Sequence, residues 1–163
     1  MGNMLIIREK YIINCEYNKA FKKLPKLPKS LKILDCKYNN LTLLPELPNS
    51  LEELLCFINK LTELPKLPNS LTGLWCYSNK LTELSELPKT IKYLVCYENN
   101  LTELPELPPN LLINFWCYNN NIKYLSPNNC QIIKKCHGIE VLHNPFSIGF
   151  TNNNDFKEYL MNL

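Results

Sequence analysis

The sequence predicts an α/β-type, mostly β solenoid: a right-handed arc with a parallel concave sheet, an extended convex side and a short C-terminal capping helix. Three observations predict it. Cysteine recurs at positions 36, 56, 76 and 96, one every twenty residues, inside a template LxxLxCxxNxLTxLPxLPxS that runs from Leu31 to Asn110. The LxxLxC half alternates apolar and variable positions, the period of a strand with one buried face. The LPxLP half carries paired prolines, and each residue before a proline is pushed out of the α region, so the return path is extended. No unit this short buries its own leucines, so successive units stack and pair their strands in parallel, roughly 4.8 Å apart.

The elements follow in order. Ile13, Cys15 and Asn18 match the middle of a diverged first unit with one extra residue before Leu24. Leu31 to Ser50 reads LKILDCKYNNLTLLPELPNS, and units starting at Leu51, Leu71 and Ile91 repeat it. The register then slips by one residue, so a longer sixth unit is expected to run Leu112, Phe115, Cys117, Asn120, Ile122 and Leu125, with Cys130 and Ile133 also inward. A partial seventh unit reads Cys136, Ile139, Val141, Asn144 and Phe146. Seven strands are thus expected, in an arc of roughly 30 Å. Asparagines 18, 39, 59, 79, 99, 120 and 144 fall at the turn leaving each strand, where buried backbone needs partners. A solenoid must also cover its two ends. MLII with YIINCEYN is expected to form an N-terminal cap with one additional strand. In DFKEYLMNL, Phe156, Tyr159, Leu160 and Leu163 lie at helical spacing, predicting a capping helix with Asp155 as N-cap. The whole, residues 1–163, reads as a single domain: 1–30 cap and diverged first repeat, 31–149 repeats, 150–163 C-terminal cap.

This template resembles the leucine-rich repeat family, whose LxxLxLxxNxL signature it matches with Cys in the third apolar slot over about residues 10 to 149. The short LPxLP units look like those of bacterial secreted effectors and of repeat proteins from amoeba-infecting giant viruses; the sixth unit instead resembles the 24-residue type common in eukaryotes. The resemblance implies that the asparagines bond the turn backbone as a ladder. It also implies a protein-binding role.

Composition narrows the function classes. Hydrophobic residues make up 45% of the 163 and charged residues 20%, so the chain should fold rather than remain disordered. The net charge of +3 comes from seventeen lysines and one arginine, paired only at Lys22, Lys23 and at Lys134, Lys135, which is no nucleic-acid footprint. The start, MGNMLIIREK, lacks the long apolar centre of a signal peptide, and Ile6 stands where a myristoylation motif needs Ser or Thr. No stretch is apolar enough for a membrane span. The expected location is therefore intracellular and cytoplasmic, in a host cell if the protein is viral or effector-derived.

Eight cysteines would suit a disulfide framework in a secreted protein. Here six of them, at 15, 36, 56, 76, 96 and 117, occupy one inward column, where a small apolar residue is needed and free Cys serves as one. Parallel side chains pointing the same way suit neither disulfide torsions nor tetrahedral metal coordination, and burial suppresses thiol reactivity. His137 and His143 are the only histidines; His143 lies near Glu140 on the exposed side of the last strand. A Cys–His nucleophile would need an exposed cysteine, and the register offers none. Neither catalysis, nor a cofactor, nor a metal site is expected. The Glu63, Glu83, Glu103 column lies beside Lys60 and Lys80 and reads as a solvated edge; the NLT sequons at Asn40 and Asn100 are letters of the repeat.

Function should lie where the repeat leaves positions free, on the concave strand face. One column there runs Phe57, Tyr77, Tyr97, Tyr118; beside it stand Trp75 and Trp116, separated by Val95, with Tyr93 nearby. Two readings of the Phe57 to Tyr118 column stand side by side: rings that stack and stabilise the sheet, or rings that contact a partner. Trp75 and Trp116 read as partner-binding. The leading expectation is a non-enzymatic protein-interaction module, and such a patch also suits self-association. The alternatives are nucleic-acid or glycan binding by the aromatic groove, against which Asp35, Glu53 and Glu98 on the same face argue, and the substrate-recognition part of a ubiquitin ligase system, for whose catalytic domain residues 150–163 leave no room.

Overall fold

The computed structural model describes residues 6–8, 11–14, 22–111 and 113–162. Two strands, β1 (Ile6–Arg8) and β2 (Tyr11–Asn14), are followed by β3 (Ile33–Asp35), β4 (Glu53–Leu55), β5 (Gly73–Trp75), β6 (Tyr93–Val95) and β7 (Asn114–Trp116). Helix α1 (Pro127–Lys135), strand β8 (Gly138–Glu140), a 3-10 turn at Pro145–Ser147 and helix α2 (Asn153–Met161) complete the order. Strands β3 to β8 form one parallel sheet in sequence order. Its central rung pairs Leu34, Leu54, Leu74, Leu94, Phe115 and Ile139, so the twenty-residue period becomes a spatial column. The LPxLP segments carry no helix and return along the convex side, each closing in a turn such as Leu51 N–H to Pro48 carbonyl at 3.0 Å.

The inward columns are dry. Leu34, Leu54, Leu74, Leu94 and Phe115 are wholly buried, and so are Cys36, Cys56, Cys76, Cys96 and Cys117. Cys56, Cys76, Cys96 and Cys117 are thiols in no disulfide. Burial pushes Cys76 up to about 12, and raises Cys56 and Cys96 well above the usual thiol value, with the neighbouring thiols adding to the effect. Burial raises Cys117 as well, and lifts Cys136 to about 11 against the opposing pull of Lys157. Cys130 is only half-buried and packs at the margin of the core.

Asparagine ties one unit to the next. The Asn79 amide donates to the carbonyls of Cys76 and Tyr77 in its own turn and to Cys56 in the preceding unit, at 3.0, 3.2 and 3.1 Å. Its Oδ1 accepts the N–H of Leu61, also in the preceding unit. Asn59, Asn99, Asn120 and Asn144 repeat this arrangement. A turn this tight forces the residue before each ladder asparagine into the left-handed region, at φ between 51° and 57° for Tyr38, Ile58, Ser78, Glu98, Asn119 and His143. A second ladder, with no counterpart in the sequence reading, runs at the ends of the units: Ser50, Ser70 and Thr90 hydroxyls donate to the carbonyls of Leu31, Leu51 and Leu71.

Four expectations change. First, the parallel sheet has six strands among the described residues; residues 11–14 pair antiparallel with 6–8 as a hairpin beside β3, instead of adding a seventh parallel rung. Cys15 and Asn18 lie outside the described residues. Second, Leu111 is wholly buried and starts the sixth unit; Leu112, expected in that place, lies outside the described residues. Leu111 keeps the unit-closing bond to Pro108 at 3.0 Å, so the extra residue is absorbed between Leu111 and Asn114. Third, the sixth return path contains α1. Ser126 caps it, accepting from Asn129 N–H, and Pro127 opens it, as suits a proline at the first helical position. Buried Asn129 then bonds the backbone of the preceding LPELP segment at Leu107 and Pro105. Fourth, Asn152 and not Asp155 is the N-cap of α2. Its Oδ1 accepts from the N–H groups of Asn154 and Asp155, and Asp155 instead accepts from Thr151 and the Asn152 amide.

Helix α2 finishes the sheet by imitation. Each inward residue after a strand, from Cys36 to Cys117, donates its N–H to a carbonyl of the next strand, at 2.7–2.9 Å. Val141 holds the same place after β8 and donates to the Asn153 side-chain oxygen at 2.9 Å. The Cys136 carbonyl, equivalent to those that Ser50, Ser70 and Thr90 satisfy, is met by Lys157 Nζ at 2.9 Å. Phe156 and Leu160 pack on the core while Tyr159 remains half exposed; Leu163 lies outside the described residues.

Candidate functional site

Since Leu34 and Cys36 point inward, Ile33, Asp35 and Lys37 point to the concave side, and the same holds in every rung. The sheet therefore presents three concave columns, with every backbone group of its interior strands already paired. One column is Lys37, Phe57, Tyr77, Tyr97, Tyr118 and Leu142. Its rings stack face to face: Phe57 on Tyr77 at 4.3 Å, Tyr77 on Tyr97 at 4.4 Å, and Tyr97 on Tyr118 at 4.3 Å, all within 14° of parallel. Strand spacing sets this distance, and each pair adds about 0.5–1.5 kcal/mol beyond burial. Tyr38 closes the row edge-on against Phe57 at 5.4 Å.

Stacking covers the ring faces, so this column offers edges and hydroxyls. Phe57 is buried rather than exposed, at 8%, and the three tyrosines are half-buried. Burial raises all three hydroxyls, Tyr97 most strongly because the charges of both neighbours add to the effect.

The second column is Asp35, Leu55, Trp75, Val95, Trp116 and Glu140, paired in register. Val95 is buried at 2%, leaving Trp75 and Trp116 half-exposed on either side of it. Trp75 does not stand out from the sheet. Its indole lies over Gly73 and stacks beside Tyr93, with ring centroids 5.8 Å apart and planes 25° from parallel. A Cβ at position 73 would fall within the far edge of that indole. Gly73→Ala should therefore rotate Trp75 outward, leaving stability within about 1 kcal/mol because only a side-chain end must move. The expected result is stronger acrylamide quenching of tryptophan fluorescence at an unchanged melting temperature; unchanged quenching contradicts this placement.

Trp75, Trp116, Phe57, Tyr77, Tyr97, Tyr118 and Tyr93 thus come together on one face, as neighbours in two adjacent columns and the rim beside them. Two further residues also belong there. Gly73, which the sequence reading passed over, lets the indole lie flat, and Glu140, expected on the exposed side of the last strand, extends the Trp116 column. At the opposite end Asp35 and Lys37 form an ion pair at 2.9 Å, with Lys37 Nζ 5.9 Å from the Phe57 ring centre. Surface grooves also lie elsewhere, between successive convex turns: one of about 820 Å³ is lined by Lys66, Ser85, Pro88 and Lys89. Among the described residues no helix is long and apolar enough to cross a membrane, and no three His, Cys, Asp or Glu side chains cluster as metal ligands.

No family model matches the chain, and no curated protein matches it. Solved structures do. It is similar to YopM from Yersinia enterocolitica, with 36% identity and a TM-score of 0.70 over 76% of this chain and 26% of that one. A Shigella effector leucine-rich repeat domain is 31% identical, with a TM-score of 0.69 over 85% of this chain and 60% of the other. YopM from Yersinia pestis, described as a leucine-rich effector protein, is 29% identical, with a TM-score of 0.62 over 76% of this chain and 41% of that one. The chain spans from about a quarter to three fifths of the length of these structures. The repeat template, the stacked parallel sheet and these likenesses agree: the chain is a leucine-rich repeat solenoid that resembles bacterial effectors.

Proposed function

We propose that this leucine-rich repeat protein is a non-enzymatic interaction module that docks a protein partner on its concave face, with a host-interaction or effector-like role. One observation carries the reading. Two half-exposed tryptophans lie within the same column on β5 and β7, interior strands paired on both edges, so side chains must supply the recognition there. Trp75, Trp116 and Tyr93 provide contact area, and large rings lose little entropy when a partner immobilises them. The stacked Phe57, Tyr77, Tyr97, Tyr118 column holds them up and adds hydroxyl edges that donate or accept. The effector neighbours support the same class of function, although each is longer than the region matched.

The test is affinity capture with the intact chain from the source cells, set against a Trp75→Ala, Trp116→Ala double variant whose melting temperature is unchanged. Proteins captured by the first and lost by the second are expected. Identical captures overturn the concave reading. Tight, salt-sensitive binding to single-stranded nucleic acid would instead favour the groove as a nucleic-acid site.

A further inference from the structure

The charges of this protein are unevenly placed. The whole chain carries +3. The concave positions of β3 to β8 and of the two or three residues that follow each strand carry Asp35, Glu53, Glu98 and Glu140 against the single cation Lys37. That cation is already matched, since Lys37 Nζ lies 2.9 Å from Asp35. From β4 onward these positions hold carboxylates and rings and no lysine or arginine; His143 is the remaining titratable side chain. Among the described residues the other lysines stand at strand starts, such as Lys32 and Lys92, in the turns and return paths, such as Lys60, Lys80 and Lys123, or on the helices, as Lys134, Lys135 and Lys157 do.

The two ends of the face are related. At the β3 end a carboxylate in the tryptophan column, Asp35, and a ring one rung away in the tyrosine column, Phe57, hold an ammonium between them at 2.9 and 5.9 Å. At the β8 end the same pair of positions holds Glu140 and Tyr118. Trp116 and Glu140 are direct partners across the sheet. Where Lys37 stands in the first rung, the last rung has Leu142, so among the described residues no lysine occupies the corresponding concave position at this end. Glu98 adds a second carboxylate: its N–H donates to the Tyr118 carbonyl at 3.1 Å, and its side chain is fixed by the Ser78 hydroxyl at 2.6 Å. Burial, with Glu140 and Glu98 adding to it by disfavouring the ionised form, holds the Tyr118 hydroxyl above its ordinary value.

We propose that the partner docked on the concave face is a basic polypeptide segment, whose lysine or arginine side chain sits against Trp116 and Tyr118 and pairs with Glu140 and Glu98. This rests on the concave face being the docking surface. A cation between a carboxylate and aromatic rings gains from both, and more so once a docked chain excludes water. Flanking apolar side chains of the segment meet Trp75 and Tyr93. An acidic segment would instead face three unmatched carboxylates and be rejected.

Two labelled peptides of equal length and apolar content, one with several lysines and one with glutamates in their place, test this by fluorescence anisotropy on the intact protein at two salt concentrations. The lysine peptide is expected to bind at least about tenfold tighter, with an affinity that falls as salt rises. A Glu98→Gln, Glu140→Gln variant should lose most of that preference and flatten the salt dependence at an unchanged melting temperature. Equal or tighter binding of the glutamate peptide, or a preference that survives in the variant, overturns the proposal, as does failure of both peptides to bind. The Trp75→Ala, Trp116→Ala variant separates the two ideas. If it abolishes binding of both peptides while no charge preference exists, only the basic partner falls; if it leaves lysine-peptide binding intact, the concave docking surface falls too.

Discussion

The protein is expected to unfold steeply as pH rises above about 9. Cys56, Cys76, Cys96 and Cys117 are wholly buried, and burial holds each thiol above its ordinary value of 9.0, Cys76 at about 12. The folded pKa is raised, so the unfolded chain releases these protons first. The stabilisation from neutral thiols is therefore complete below the unfolded value and is lost as pH climbs from there toward the folded values. Each thiol contributes roughly 1 kcal/mol or slightly more per pH unit in that window, so four together weaken the fold by roughly 4 to 6 kcal/mol per unit. Domains of ordinary stability hold about 5–15 kcal/mol, so the transition should fall about one to three pH units above the ordinary thiol value. Circular dichroism followed against pH measures it. Replacing Cys76 by Ala should shift the midpoint upward relative to neutral-pH stability, because one titrating group is removed. At pH 8, where the chain is folded, alkylation of these thiols should proceed only as fast as the protein opens. Rapid alkylation of most of them in the native state, or no loss of structure up to about pH 12, contradicts the inward thiol column.

Asn99→Ala should cost about 4–6 kcal/mol. The size follows from what the amide and its oxygen do. Asn99 donates to the carbonyls of Cys76, Cys96 and Tyr97 and accepts from Leu81 N–H at 3.0 Å, deep in the sheet. Three of these backbone groups keep another bond: Cys76 retains Asn79, Cys96 retains Asn120, and Tyr97 retains the Ser78 N–H. Leu81 N–H alone is left bare, in a residue with no solvent exposure. One orphaned buried donor costs about 1–3 kcal/mol, and three lost bonds add about 1 kcal/mol each. The loss falls on contacts between units, where a stacked array draws its cooperativity, so urea unfolding should broaden or split into two steps. A loss below about 1 kcal/mol would mean that water replaces the ladder and that it does not couple the units.

How far this could be read from the chain varies by element. Leu34, Cys36 and Asn39 and their counterparts were legible because a fixed period converts linear spacing into one geometry repeated at each rung. The method failed where the period failed. At Leu111 the inserted residue can be placed on either side of a leucine, and spacing alone does not distinguish the two; the Pro108 turn does. The α1 segment carried its own signal in Ser126 and Pro127, an N-cap followed by a first-position proline, which the dominance of the LPxLP pattern obscured. At α2, the run Asn152, Asn153, Asn154, Asp155 offers four residues that all favour the N-cap. Which one serves depends on where the helix must sit for Asn153 to reach Val141 and Lys157 to reach Cys136.

The sequence by itself determined the stacking direction, the identity of every inward column and the placement of the aromatic residues on one face, because alternation and a twenty-residue period leave a stack only one way to bury its leucines. Only the tertiary structure decided what those aromatics became. Phe57, Tyr77, Tyr97 and Tyr118 turned their faces to one another, Val95 sank between the tryptophans, and Trp75 settled onto Gly73. Those outcomes depend on rotamers chosen against neighbours one strand away, and a neighbour twenty residues distant exerts no force until the strands have paired.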